Sequence, residues 1–426
     1  MSVSEPKAFL SRLFDAAVAA ADPMKTIPGA LPEKPAGRVF VVGAGKASAR
    51  MAEAVESVWG PCEGLVITRY GYGRPTQGIE IVEAAHPVSD QAGMEATARL
   101  LKLLGEAGED DLVLALISGG GSSLLCAPAE GITLEDFQAV HRALLESGAP
   151  IGQMNVVRKH LSRIKGGQLA AMAWPASVLS LMISDVTGDV PGDIASGVTV
   201  GETSTVEDAL KIIADRNMKL PQSAMDALHA GSTVVAPDDH RLSRVDNRVI
   251  SAPSQSLAVA EDLAREAGIE PRNLGDGIDE EAREAGARQA KMAMDIQDGL
   301  SPGDRPVLLI SGGECTVSGW GGGVGGPNAE FILSCAIALN GRAGIYALAG
   351  DTDGVDGAAE IAGAFCGPDT LEKAKSKGLD PADVLKRSDS HTFFGEIGDQ
   401  IVTGPTLTNV NDFRAILIEP RAANPS

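Results

Sequence analysis

Residues suited to phosphate chemistry recur in this chain at the ends of strand-like runs. The segment Val113–Leu125, VLALISGGGSSLL, carries a buried-strand pattern straight into Ser118, Gly119, Gly120, Gly121, Ser122 and Ser123. Glycines and hydroxyls at the carboxyl end of a strand leave bare backbone N–H groups and small donors there. A helix that follows aims its positive end at the same spot. The pattern returns at Val307–Gly313, VLLISGG, which brings Gly312, Gly313 and Glu314 and opens a glycine tract over Gly319–Gly326. One Gly-rich turn is as often a plain strand-to-helix connection. Two suggest an extended, multiply charged ligand held between two lobes.

Cations and carboxylates accompany these mouths. Lys46 follows Gly43, Ala44 and Gly45 at the start of a helical stretch, where a cation is electrostatically misplaced unless an anion shares the site. The loop is not a Walker A sequence. It is also a damaged dinucleotide fingerprint: Ser48 takes the place of the third glycine, and the second strand ends at Arg69 where an NAD site wants an acid. An arginine there suits a 2′-phosphate, so an NADP site is weakened but still open. Asn155, Arg158, Ser162 and Lys165 fall at i, i+3, i+7 and i+10 of an expected helix over Met154–Ala173. They form a basic stripe able to grip a carboxylate or phosphate, although an ordinary solvated face fits the same spacing.

Asp185 and Asp189, and later Asp351 and Asp353, follow buried runs. Carboxylates there, with glycine between them, suit Mg²⁺, which takes few carboxylates plus substrate oxygens; Asp-Gly turns are the plainer alternative. Gly325, Gly326, Asn328 and Glu330 flank the second tract, positioned to hold nucleotide or to cap the helix that starts there. Of six histidines only His86, in His86-Pro87-Val88-Ser89-Asp90, sits at an expected strand end.

The elements that must position these groups alternate. Strands are expected at 38–42, 65–68, 81–84, 112–117 and 178–183, with helices at 49–59, 91–104 and 134–147 between them. Glycine-terminated strands alternating with helices mark a mostly parallel α/β sheet with helices on both faces. The polar run Pro237–Asn247 suggests a boundary, giving domains 1–243 and 244–426. The last residues are candidates to pack back on the first lobe. Alternation resumes with strands at 248–250, 307–310 and 344–349, helices at 256–267, 280–298 and 328–339, and closing strands at 401–403 and 415–418.

Composition narrows the function. The chain of 426 residues exceeds one ordinary core. A net charge of −21 and only 4% aromatics argue against nucleic acid or an anionic membrane as partner. Five scattered cysteines form no C-x-x-C pair, as expected for a reduced, cytoplasmic protein rather than a disulfide or zinc framework. The segment Lys7–Ala21, broken by Arg12 and Asp15, reads as an amphipathic helix rather than a signal peptide. Together the residues describe a nucleotide-dependent enzyme for phosphoryl transfer, which needs cations, backbone donors and a bridging metal.

The ordered set VVGAGKAS, HPVSD, ISGGGSSLL, NVVRKHLSRIKGGQLA, ISDVTGD, LISGGECTV, GGPNAEF, LAGDTDGVDG and TGPTLTNVND, from Val41 to Asp412, resembles the class II glycerate kinases. These have a Rossmann-like DUF4147-type amino-terminal lobe and a smaller α/β MOFRL-type carboxyl-terminal lobe, with the active site in the cleft between them. The resemblance implies ATP-dependent phosphorylation of D-glycerate, at the 2-hydroxyl, with Mg²⁺ and no P-loop, in a monomer or homodimer. It implies that Lys46 is the cation near the transferred group and that Gly119–Ser123 holds phosphate or substrate. Arg158 and Lys165 would take the anionic ends, and Asp189 and Asp351 would contact metal or nucleotide. Many relatives read Gly-Gly-Arg-Asn where this chain has Gly326-Pro327-Asn328, so a proposed catalytic arginine is absent. Two alternatives stay open: an NADPH-dependent hydroxypyruvate reductase, the provisional label many members long carried, and a catalytically silent sugar-acid or nucleotide-binding protein.

Overall fold

A computed structural model describes residues 3–319, 321–357 and 359–421. Six strands form a first sheet: β1 (Val39–Ala44), β2 (Glu63–Arg69), β3 (Ile79–Ala84), β4 (Leu112–Ile117), β5 (Ser177–Ile183) and β6 (Val245–Ser251). Their order is β3-β2-β1-β4-β5-β6, with every neighbouring pair parallel. This is the doubly wound α/β order, and the sequence dictates it. Runs such as VFVVGA and LVLALI are apolar throughout, which suits strands covered on both faces. Phe40, Val42 and Ala44 of β1 share one core with Ala96, Leu100 and Leu104 of the helix Gln91–Leu104. Asp90 starts that helix by accepting the Gly93 N–H at 2.9 Å, so the aspartate of the HPVSD motif is a cap.

A second sheet contains β7 (Glu270–Asn273), β8 (Val307–Gly313), β9 (Ile345–Asp351), β10 (Gly363–Cys366), β11 (Gln400–Ile401) and β12 (Asp412–Ile418). Its order is β11-β10-β9-β12-β8-β7, with β12 antiparallel to both β8 and β9.

The chain divides into two compact units: Pro23–Ser251, and the residues up to Asp22 together with those from Ala252 onward. This differs from an expected boundary at 243/244 in two ways. The strand expected at 248–250 belongs to β6, which pairs with β5 and so extends the first sheet to Ser251. The amino-terminal helix, Pro6–Ala20, buries Phe9, Leu10, Leu13, Phe14 and Ala17 against Leu308, Ile310, Leu348 and Phe413 of the second unit. The last strand, β12, lies inside the second sheet, and the chain's last residues, 422–426, lie outside the described residues. No helix among the described residues is long and apolar enough to cross a membrane.

Candidate active site

In a doubly wound sheet, ligands bind outside the carboxyl ends of the strands where the strand order reverses. Here that point lies between β1 and β4, whose last residues Ala44 and Ile117 are paired. Gly45-Lys46 and Ser118–Ser123 emerge there side by side. The Lys46 N–H donates to Gly119 O at 2.8 Å, and the Ala47 N–H to Ser118 Oγ at 3.0 Å. Ser48 and Ser118 share a hydroxyl bond at 3.1 Å, and the Ser48 N–H donates to Gly45 O at 3.2 Å. Lys46 therefore lies just before the helix Ser48–Trp59 rather than on its first turn. The N–H groups a dinucleotide would need at that helix start already have protein acceptors. Gly120, with φ +82°, passes so close to His86 and Lys46 that an added Cβ would lie 2.9 Å from the His86 ring and 3.4 Å from Lys46 Cγ. Gly121 begins a single helical turn, Gly121–Leu124, and Ser123 closes back on Gly120 O at 3.1 Å.

The basic stripe does not form as one helix. The helix Ile151–His160 ends at Leu161, and Gly166 and Gly167 adopt φ of +59° and +81° before a short helix at Gln168–Met172. Two consecutive left-handed glycines break the expected run. Asn155 and Arg158 stay on the helix, while Ser162 turns to Ala127 O. Lys165 is 1% exposed and donates to Ser122 O at 2.7 Å and Leu125 O at 3.1 Å. It clamps the glycine loop from beneath instead of reaching a ligand. Burial pushes its pKa down to about 8.

Arg158 is the more telling residue. It is half-buried, its single hydrogen bond is a long one to Asn155 Oδ1 at 3.4 Å, and its Nε is buried with no acceptor. Among the described residues it makes no ion pair. Burial, then Arg158, Lys165 and Arg142, push the nearby His141 down to about 4. Among the described residues this half-buried guanidinium lies near Lys165 and has no carboxylate within ion-pair distance.

Ser196 was not legible in the sequence. It is buried at φ +58°, following Ala195 at +50°, and its hydroxyl bonds both Ser122 Oγ and Asn155 Oδ1, the latter at 3.2 Å. Asp189 also has a left-handed backbone, at φ +52°, and its Oδ1 is buried without a partner. Asp185 is half-buried just after β5. Among the described residues no three His, Cys, Asp or Glu side chains gather as a metal cage.

The second unit uses its motifs differently. Arg414, fully buried on β12, donates to Gly312 O and Gly313 O at 3.0 Å each and pairs with Asp412 at 2.5 Å. Burial pushes Asp412 up to about 6, against the pull of Arg414 and Asn328. The helix Pro327–Leu339 has its amino terminus already filled: Asp356 accepts the Asn328 and Ala329 N–H groups at 2.9 Å each. Gly326 must be glycine for this, since a Cβ there would lie 2.4 Å from the Asp356 carboxyl carbon. Asn328 Nδ2 reaches Asp412 at 2.6 Å. Gly325 is buried beside it, while Glu314 is exposed. Asp351 accepts the Asp353 N–H at 2.9 Å, and Asp353 the Val355 N–H at 2.8 Å, so both carboxylates brace the turn after β9. Pro327 takes the first helical position, where a missing N–H costs nothing.

Glu330 is fully buried and bonds Arg283, and its other oxygen is unpartnered. Burial raises its pKa despite Arg283. Arg283→Ala is expected to cost about 3 kcal/mol at pH 8, the scale of a broken buried pair. The loss shrinks at pH 5, because a carboxyl whose folded pKa is raised regains stability as pH falls and it takes a proton. Denaturant titration at both pH values checks this, and equal losses would mean that Glu330 carries no buried charge.

The fold and site define a doubly wound α/β protein with a lysine-and-glycine mouth at its switch point and an uncompensated arginine nearby. Comparison with known proteins supplies the family. Residues 9–229 match the family described as Domain of unknown function (DUF4147), and residues 307–412 match the MOFRL family. An Agrobacterium vitis protein provisionally named hydroxypyruvate reductase is 50% identical over 96% of this chain and 94% of its own length. A Thermotoga maritima protein named D-glycerate 2-kinase is 39% identical over 92% of this chain and 93% of its own. A crystal structure of glycerate kinase from the same organism matches with a TM-score of 0.86 at 38% identity, covering 97% of this chain and 99% of that one. The chain belongs to the DUF4147–MOFRL family, the class II glycerate kinases.

Proposed function

We propose that this chain transfers a phosphoryl group from ATP to the 2-hydroxyl of D-glycerate, giving 2-phosphoglycerate, with Mg²⁺. One observation carries the reading. The switch point gathers Lys46 and the Gly119–Ser123 loop, and Arg158 stands nearby without an acid. A small product that carries both a phosphate and a carboxylate needs such a set of cations and small donors.

Lys46 places positive charge where the transferring group becomes most negative. The glycine loop lets small oxygens approach the backbone, and Lys165 keeps that loop in place. Arg158 takes the carboxylate of the acceptor through its unused guanidinium edge. Asp189, with a buried unpartnered oxygen, fits one ligand of Mg²⁺, which needs only one or two carboxylates alongside phosphate oxygens. The metal, when bound, neutralises charge developing on the phosphates. Nucleotide contacts at Gly312, Gly313, Glu314 and Asp351 belong to the same proposal. Gly325, Gly326, Asn328 and Glu330 are weaker candidates, because Asp356 and Arg283 already occupy the groups around them.

The reductase is the second reading, favoured by the provisional name of the Agrobacterium vitis relative. Against it stands the helix start after Gly45, where Gly119, Ser118 and Gly45 consume the N–H groups that a pyrophosphate needs. Purified protein given D-glycerate, ATP and Mg²⁺ is expected to release ADP and 2-phosphoglycerate. Oxidation of NADPH by hydroxypyruvate without any ADP release would replace the kinase reading with the reductase. Silence in both assays would favour a binding protein.

A further inference from the structure

Ser196 lies in a segment that no motif marks, yet it sits where the two halves of the anion site meet. Ser122 of the glycine loop, Ser196 and Asn155 form a continuous hydrogen-bonded chain that ends on Arg158. The Ser196 hydroxyl donates to Asn155 Oδ1 at 3.2 Å and so accepts from Ser122. The same Asn155 oxygen accepts from Arg158 Nη1 at 3.4 Å, while Asn155 Nδ2 faces Asp193 Oδ1 at 3.5 Å. These partners fix the orientation of the amide: with oxygen and nitrogen exchanged, Nδ2 would face Arg158 and the oxygen would face a carboxylate.

The backbone at this point is strained to make the bond. Ala195 and Ser196 both have positive φ, and neither is glycine. Left-handed backbone costs a β-carbon residue stability unless surrounding structure holds it, and such strain collects at functional sites. Here it is held by Ser196 O, which accepts the Gly166 N–H at 3.2 Å, and by the Gly167 N–H on Gly197 O at 2.8 Å. Those two glycines directly follow Lys165, in the turn that leads into the short helix Gln168–Met172. The backbone of Ser196 is thus held by the turn that follows Lys165.

We infer that Ser196 is a positioning residue for the acceptor: through Asn155 it holds Arg158 in line for the substrate carboxylate and couples that grip to the glycine loop through Ser122. The inference rests on the glycerate reading of the site. Without the Ser196 hydroxyl, Asn155 loses the donor that pins its oxygen, and Arg158 loses its one fixed partner. Phosphoryl-transfer groups at Lys46 are untouched, so binding of the acceptor suffers more than turnover.

The test uses Ser196→Ala, which removes only the hydroxyl, beside Ser196→Gly, which also removes the Cβ and tolerates the positive φ. Both are expected to raise KM for D-glycerate about tenfold, with kcat within about threefold and KM for ATP unchanged, one lost hydrogen bond to a charged assembly being of that order. Calorimetric titration with D-glycerate alone is expected to show the same weakening. In an Arg158→Lys background, Ser196→Gly is expected to add little further loss, since coupled residues are not additive. An unchanged KM for glycerate in Ser196→Gly overturns the inference while leaving the kinase reading intact, and so does full additivity with Arg158→Lys. A wild-type protein that neither binds nor phosphorylates glycerate overturns both.

Discussion

Lys46→Ala is expected to lower kcat by about 10²–10³ and leave the fold intact, the scale of a lost charge contact to the transition state. The separation of the two effects follows from the geometry. The Lys46 main chain supports the structure through its N–H on Gly119 O. Gly45 N–H on Ile67 O and Ala47 N–H on Ser118 Oγ complete the joint between β1, β2 and β4. Alanine keeps all three bonds. What it removes is an ammonium at the switch point of a chain with net charge −21, where a local cation is needed before any anion will settle. Steady-state kinetics beside a thermal melt is the measurement. Turnover near the wild-type value would remove Lys46 from the mechanism, and a collapsed melt would show that its side chain has a structural duty as well.

The sequence was a good guide to the first sheet and a poorer one to its edges. Strands β1, β4 and β5 are continuous apolar runs buried on both faces, a pattern that survives any detail of packing. Strand β6, VDNRVIS, lies at the sheet edge and opens with the polar run Asp246, Asn247 and Arg248, so its first residues read as part of a linker and only 248–250 as a strand. Strand β7, EPRN, is likewise a polar edge strand, and β10, GAFC, is buried inside its sheet but only four residues long, so neither stands out in the sequence. The amino-terminal helix was legible from its apolar stripe; the core it joins was not, because a stripe says that a face is buried and not against what.

The site divides the same way. Lys46 and the glycine loop are written in residue types, and the doubly wound topology brings them together as expected. The stripe from Asn155 to Lys165 converges for a different reason than its spacing implied: the helix ends at Leu161, and Lys165, off the helix, bonds the carbonyls of Ser122 and Leu125. Ser196 left no trace, since a serine in a left-handed backbone looks like any other serine. The family motif at Gly326-Pro327-Asn328 looked like a nucleotide mouth, but its N–H groups are spent on Asp356. A carboxylate 28 residues away in sequence cannot be paired to a helix terminus by pattern alone.

Gly120→Ala tests the site more sharply when set beside Gly131→Ala. Both glycines have positive φ, +82° and +85°, so both substitutions carry the same backbone penalty of about 1–2 kcal/mol. They differ in surroundings. A Cβ at Gly131 meets nothing within 4 Å, whereas at Gly120 it meets His86 Cδ2 and Nε2 at 2.9 Å and Lys46 Cγ at 3.4 Å. A contact of 2.9 Å cannot persist, so the His86 ring or the Lys46 stem must shift by several tenths of an ångström. Since a misplacement of about 1 Å costs about 10²-fold in rate, a shift of several tenths of an ångström is expected to cost about tenfold. The expected result is two variants with matching losses of stability, of which only Gly120→Ala loses kcat/KM. Matching activities would mean that neither His86 nor Lys46 needs its present position. Equal activity losses in both would place the effect in backbone strain rather than in the mouth of the site. The comparison thereby isolates the close approach of Gly120 to His86 and Lys46, without a substitution at either of those two side chains.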